Sequence, residues 1–192
     1  MSLMRAPHVA VLAQALGEAI CKASLQRPTT PAHAALLAIQ SGQGDRTPLF
    51  CVPGAGDSVT LGIGDHRLVL GIGGDTLVAG DGRTLLIGDN GTVVLQEDGT
   101  VVSLTGATTA NDGSDNVTLG DGNVDALLGD GADTFTMGDG NAVLVGDGGA
   151  INYYLSGILQ SVTATAGTGG NDLVTIGDGD VTALLGEGAD TL

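Results

Sequence analysis

The chain has 192 residues, 34 of them glycine, and a formal net charge of −16 at pH 7, with only six lysines and arginines. So few cations leave no basic patch to neutralise phosphates, which excludes nucleic acid as a partner and argues against docking on anionic lipid. The charge is also uneven: residues 1–56 carry a net of +2. Residues 57–192 carry 20 acids against Arg67 and Arg83, a net of −18, together with 29 of the glycines. The partner this acidic part lacks is a cation.

In chain order, residues 7–23 place Val9, Leu12, Ala13, Leu16 and Ile20 at helical spacing, which predicts a short N-terminal helix. Gln14 and Glu18 interrupt that apolar stretch, and no cleavage site follows, so it does not read as a standard signal peptide. No apolar run approaches the roughly 20 residues of a spanning helix, so membrane insertion is not expected. A proline-rich link at 27–31 leads to Thr47-Pro-Leu-Phe-Cys-Val-Pro-Gly-Ala-Gly-Asp-Ser-Val-Thr. That run resembles the opening strand and glycine loop of the thioesterase domain of nonribosomal peptide synthetases, and the residues before it resemble the tail of the carrier domain. The resemblance covers about residues 1–58 and is truncated: no Gly-x-Ser-x-Gly elbow follows, and no Ser–Asp–His set can be assembled. Ser58 is therefore not a nucleophile, no catalytic residue is expected, and residues 49–52 have no sheet to join. A gene fusion with its seam at 53–60 explains the abrupt change in charge and glycine content. A helical cap over the repeats is the competing reading. Cys21 and Cys51 both lie outside the acidic part, so disulfides cannot hold it together.

From residue 57 a double period takes over. The stretches 57–61, 115–119 and 172–176 repeat one another at steps of 58 and 57 residues. Within them, glycines recur every nine residues: Gly62, Gly71, Gly80; Gly120, Gly129, Gly138; Gly177, Gly186. This gives copies at 57–110, 111–167 and 168–192. The first half of each nine-residue unit is turn chemistry, Gly beside Asp or Asn; the second half is a strand of three or four β-branched or aliphatic residues. Such short strands bury themselves only when stacked, so the expected fold is all-β, a solenoid of two thin parallel sheets with two units per 18-residue coil. Alternate units differ. Asp57, Asp75, Asp115, Asp133, Asp172 and Asp190 stand before their strands, whereas His66, Val124 and Val181 fill that place in the other class. Two units per coil would put all the Asp-bearing strands on one side.

Residues 91–104 break the period and predict two strands joined by a turn at 97–99, with a counterpart at 150–165 turning near Ser156-Gly157. Tyr153 and Tyr154 lie there, where the expected use is capping the end of the stack. The chain stops at Leu192 partway into a third copy, leaving an unpaired sheet edge, as expected of a fragment or truncated product of a longer protein.

The units resemble the hemolysin-type calcium-binding (RTX) repeats, whose nine-residue pattern is Gly-Gly-x-Gly-x-Asp-x-apolar-x. The match is good in Gly129-Asp-Gly-Ala-Asp-Thr-Phe-Thr and in Gly71-Ile-Gly-Gly-Asp-Thr-Leu-Val, and it covers 53–91, 111–149 and 168–192. It departs where Leu70, Leu128 or Met137 replaces the first glycine, and where alternate units lack the Asp. The resemblance implies a parallel β-roll with β-hairpin insertions whose Gly/Asp turns clasp Ca²⁺. Calcium takes six to eight oxygens from carboxylates and backbone carbonyls. The first expected site lies between turns 111–115 and 130–133, with Asp112, Asp115, Asp130 and Asp133. A second lies between Asp172 and Asp190, helped by Glu187. A third lies between Asp57 and Asp75, whose turns carry no further acid. On the opposite edge, Asp121, Asp139, Asp178 and Asp180 read as solvated turn residues, and His66 as the filler of a turn.

The function that follows is a calcium-binding structural module of a secreted or surface protein of bacterial type, adhesin-like, folding when calcium is supplied and not itself an enzyme. Its partners would be calcium ions and a surface or carbohydrate ligand. Two alternatives stand beside it: a truncated hydrolase fusion whose repeats only aid export, and a metal-free solenoid spacer.

Overall fold

The computed structural model describes residues 36–39, 50–51, 56–96, 98–107, 112–166 and 169–192. These residues are all-β, built from short strands in parallel sheets. The expected helix at 7–23 lies outside them. The strands in chain order are β1 (Leu36–Ile39), β2 (Phe50–Cys51), β3 (Ser58–Leu61), β4 (His66–Val69), β5 (Thr76–Ala79), β6 (Thr84–Ile87), β7 (Asn90–Leu95), β8 (Val101–Ala107), β9 (Asn116–Leu119), β10 (Val124–Leu127), β11 (Thr134–Met137), β12 (Ala142–Val145), β13 (Gly149–Tyr153), β14 (Leu159–Ala164), β15 (Leu173–Ile176) and β16 (Val181–Leu184).

Consecutive repeat strands alternate between two parallel sheets. One has the order β1-β3-β5-β9-β11-β15; the other has β2-β4-β6-β10-β12-β16. The 18-residue step sets the register directly, Ser58 beside Thr76 and Val124 beside Ala142. Across a hairpin the sheet closes over the gap, Thr76 beside Asn116 and Thr134 beside Leu173. All the Asp-preceded strands thus share the first sheet, as the alternation of units predicts. Two expectations fail at the start of the sheets. Phe50–Cys51 does join a sheet, pairing in parallel with Leu68–Val69. His66 does not fill a turn; it opens β4, buried, with its Nε2 2.9 Å from the Gly62 carbonyl. A carbonyl only accepts, so that nitrogen carries the proton.

The first sheet shows the alternation of a half-buried strand, with Val59, Leu77, Val117 and Phe135 turned inward and Thr60, Thr76 and Thr118 outward. Its inward residues meet Leu68, Leu86, Ala126, Leu128 and Leu144 of the second sheet and its turns in one apolar core. The second sheet is different: β6 and β10 are buried at all four positions. The two irregular segments explain this. Each forms the expected hairpin, β7 with β8 and β13 with β14, and the hairpins pair edge to edge in the order β14-β13-β8-β7. Their inner face, with Val93, Leu104 and Ile151, covers Leu85, Ile87, Leu127 and Val145 on the outside of the second sheet. Tyr153 therefore covers a sheet face instead of capping the end of the stack. Its hydroxyl donates a short hydrogen bond to Asp125 Oδ1, and Asp125 Oδ2 lies 2.9 Å from Arg83.

Glycine is demanded most strictly where turns stack. Gly122 and Gly140 have φ of 141° and 146°, and a Cβ on Gly140 would come within 2.0 Å of the Gly122 carbonyl oxygen.

Candidate metal centre

The turns that enter β3, β5, β9, β11 and β15 each end on an aspartate, the residue just before the strand. Stacking sets these aspartates one above another and leaves their backbone N–H groups with no strand partner. The carboxylate of the next aspartate takes up each one. Asp57 N–H donates to Asp75 Oδ1 at 2.6 Å, Asp75 N–H to Asp115 Oδ1 at 2.8 Å, and Asp115 N–H to Asp133 Oδ1 at 2.7 Å. The ladder continues from Asp133 to Asp172 and from Asp172 to Asp190, both at 3.0 Å. Asp57, Asp75, Asp115, Asp133 and Asp172 are buried.

This arrangement uses only half of each carboxylate. The Oδ2 atoms of Asp75, Asp115, Asp133 and Asp172 are buried and have no hydrogen-bond partner. An ionised carboxylate in such surroundings is costly unless its charge is compensated. Burial accordingly pushes the Asp75 carboxyl up to about 7, Asp115 and Asp133 to about 8, and Asp172 to about 6. The backbone N–H donated to each one works in the opposite direction, and the neighbouring carboxylates add to the rise. Two outcomes relieve the strain: the row keeps its protons, or cations supply the missing charge.

Two further aspartates belong to this edge, and the nine-residue pattern does not single them out. Asp89 and Asp147 follow β6 and β12, at the points where the chain leaves the turn to make a hairpin. Each is 1% exposed. Asp89 Oδ1 accepts the N–H of Gly113, on the returning chain, at 3.3 Å, and its Oδ2 is buried without a hydrogen-bond partner. Burial raises this carboxyl to about 9, with Asp112 and Asp115 the next contributors. Asp147 Oδ1 likewise accepts from Gly170 at 3.3 Å, and its Oδ2 accepts the Glu187 N–H at 2.5 Å. Burial raises its pKa too, and Asp190 and Asp130 contribute.

The expected pairings are thus partly regrouped. Asp115 and Asp133 are adjacent rungs, as are Asp57 with Asp75 and Asp172 with Asp190. Asp112, half-buried, accepts from Asn90 Nδ2 at 3.3 Å and neighbours Asp89 and Asp115. Asp130 neighbours Asp133 and Asp147. Glu187 contributes its backbone N–H, and its side chain is exposed. On the opposite edge Asp81, Asp121 and Asp139 are exposed, and their Oδ1 atoms accept the N–H groups of Asp121, Asp139 and Asp178 at 3.0, 2.9 and 2.8 Å. They sit in solvent, where no orphaned oxygen calls for a cation.

No family model, curated protein or solved structure matches the chain. The chemistry of the donors is what remains to judge a metal by. Among the described residues no three His, Cys, Asp or Glu side chains converge to hold an ion alone. A hard cation such as calcium can instead take a mixed oxygen set, in which backbone carbonyls complete a shell begun by one or two carboxylates. The buried Oδ2 atoms fit that role.

Proposed function

We propose that residues 57–192 form a calcium-dependent parallel β-roll, a structural or adhesive module of a secreted or cell-surface protein without catalytic activity of its own. The observation that carries this reading is the row of buried carboxylates, each with one oxygen committed to a backbone N–H and, at Asp75, Asp115, Asp133 and Asp172, a second oxygen with no hydrogen-bond partner. With a net charge of −16, the cation-free chain repels itself on compaction. Calcium bound to the folded form alone stabilises it by mass action. Calcium at the millimolar level found outside cells suits sites of this modest density of carboxylates. The resemblance to RTX repeats points the same way.

The test is far-UV circular dichroism at pH 7.5 in millimolar calcium and in chelator. A gain of β signal with calcium is expected, and identical spectra refute the proposal. The competing reading is a metal-free spacer whose carboxyls stay protonated, favoured by the lack of a three-carboxylate group among the described residues. It requires those identical spectra.

A further inference from the structure

Both hairpins fold over the outside of the second sheet. Among the described residues nothing covers the outside of the first. The chain thus sends its irregular segments to one side and keeps the other unbroken, because the first sheet closes over each hairpin in register. Thr60 stands beside Val78, Val78 beside Thr118, Thr118 beside Thr136 and Thr136 beside Thr175. Ser58, Thr76, Asn116, Thr134 and Leu173 make a second row in the same register. Every side chain of both rows is exposed or part-exposed.

These ten positions hold six threonines and no charged residue, in a region whose net charge is −18. The exposed acids Asp81, Asp121, Asp139 and Asp178 stand in the turns past the strand ends, off the face itself. An uncharged face on so acidic a chain fits an uncharged partner. A second copy of the chain is a poor fit. Five strands about 4.8 Å apart and four residues long present about 300 Å² in projection, against about 800 Å² per partner in a stable interface. A sugar polymer would want an aromatic platform, and both tyrosines lie on the second hairpin. What the face does offer is periodicity. Its side chains repeat about every 4.8 Å across the strands and about every 6.6 Å along them, within roughly a tenth of the oxygen repeats on a prism face of hexagonal ice.

We propose that the outer face of the first sheet binds ice, with the rows through Thr118 and Asn116 as the contact. Threonine suits the task chemically. Its branched Cβ restricts χ1, so each hydroxyl and methyl is held in place before contact, and the hydroxyl both donates to and accepts from water. Immobilising a liquid water molecule costs up to about 2 kcal/mol of entropy, and water already fixed in a crystal adds no such cost. The hairpins stiffen the opposite sheet without intruding on this one. The inference needs only the folded chain, so it stands whether or not calcium drives folding.

The test is thermal hysteresis and ice shaping by the full chain, measured on a single ice crystal in an osmometer. Two buffers are used, millimolar calcium at pH 7.5 and chelator at pH 5, with circular dichroism reporting the fold in each. In whichever buffer the chain is folded, growth of the crystal should halt below its melting point and its faces should become angular. Thr118→Arg and Thr136→Arg, on adjacent strands in the middle of the face, should keep the wild-type spectrum and lose half or more of the hysteresis. Thr182→Arg puts the same change on an exposed strand residue of the second sheet and should match the wild type. A folded wild type that leaves ice growth and shape unaltered overturns the proposal. So do folded Thr118→Arg and Thr136→Arg variants with full hysteresis. Sedimentation velocity supplies the remaining check: a dimer that the same two substitutions disperse would mean that a second copy occupies the face, and would also overturn it.

Discussion

Raising the pH in chelator should unfold this protein. A carboxyl whose folded pKa lies above its unfolded value keeps its proton in the fold after the unfolded chain, at about 3.9, has lost it. The stability it contributes is complete below about pH 4 and is lost as pH rises through the folded value. Asp172 at about 6 and Asp75 at about 7 finish losing their share first. Asp115 and Asp133 at about 8 and Asp89 at about 9 keep their protons past neutrality, so their share is still falling there. Each such proton changes stability by at most about 1.4 kcal/mol per pH unit, so these last three together set an upper slope of about 4 kcal/mol per unit between pH 6 and 8. Whole domains are stable by about 5–15 kcal/mol. Two pH units at that slope therefore remove much of the fold. Urea unfolding followed by circular dichroism in chelator should show a midpoint falling steadily from pH 5 to pH 8. Calcium at pH 8 should restore the fold, because it binds the ionised carboxylates and competes with protons for them. A midpoint in chelator that stays level or climbs over this range refutes the reasoning, for it would mean that the row is ionised without penalty.

Two further outcomes test the fold. Gly140→Ala forces a side chain onto φ 146° and against the Gly122 carbonyl, and should cost more than about 1 kcal/mol in thermal unfolding, whereas Gly62→Ala, with nothing within 4 Å of the added methyl, should be neutral or stabilise by about 0.4–1 kcal/mol. Tyr153→Phe takes the hydroxyl from the buried Asp125 and should cost about 1–3 kcal/mol, read from the same melts; an unchanged melt would mean that the hairpin does not depend on this bond.

The sequence made the repeat legible because its signal is local: a four-residue strand and a glycine turn fit within nine residues. Alternation of Asp57, Asp75, Asp115 and Asp133 with His66 and Val124 marked which strands share a sheet, since only an 18-residue step puts like beside like. The hairpins were legible from the lapse of that period. Asp89 and Asp147 were not. Each is a Gly-Asp of the same appearance as the exposed Asp81 and Asp121. What buries them is chain returning from far along the sequence, Gly113 and Gly170, which no local pattern records. A departure from the Gly-Asp-Gly rhythm at Asp89-Asn90 was the one available clue. Phe50–Cys51 misled for a different reason. Its likeness to a hydrolase strand drew attention from the fact that a parallel sheet accepts any extended pair of residues at its end.

Each long copy adds two strands to either parallel sheet, β3 and β5 or β4 and β6, and its hairpin adds two strands to the covering sheet. Neighbouring strands lie about 4.8 Å apart in any sheet, so body and cover both lengthen by about 9.6 Å per copy. The two layers are commensurate. A copy with one strand in each parallel sheet would crowd successive hairpins, and one with three would leave a bare strip between them. The interval of 57 or 58 residues is thus the smallest block whose duplication tiles the outer face without gap or overlap, which makes the whole block, not the nonapeptide, the natural unit of growth.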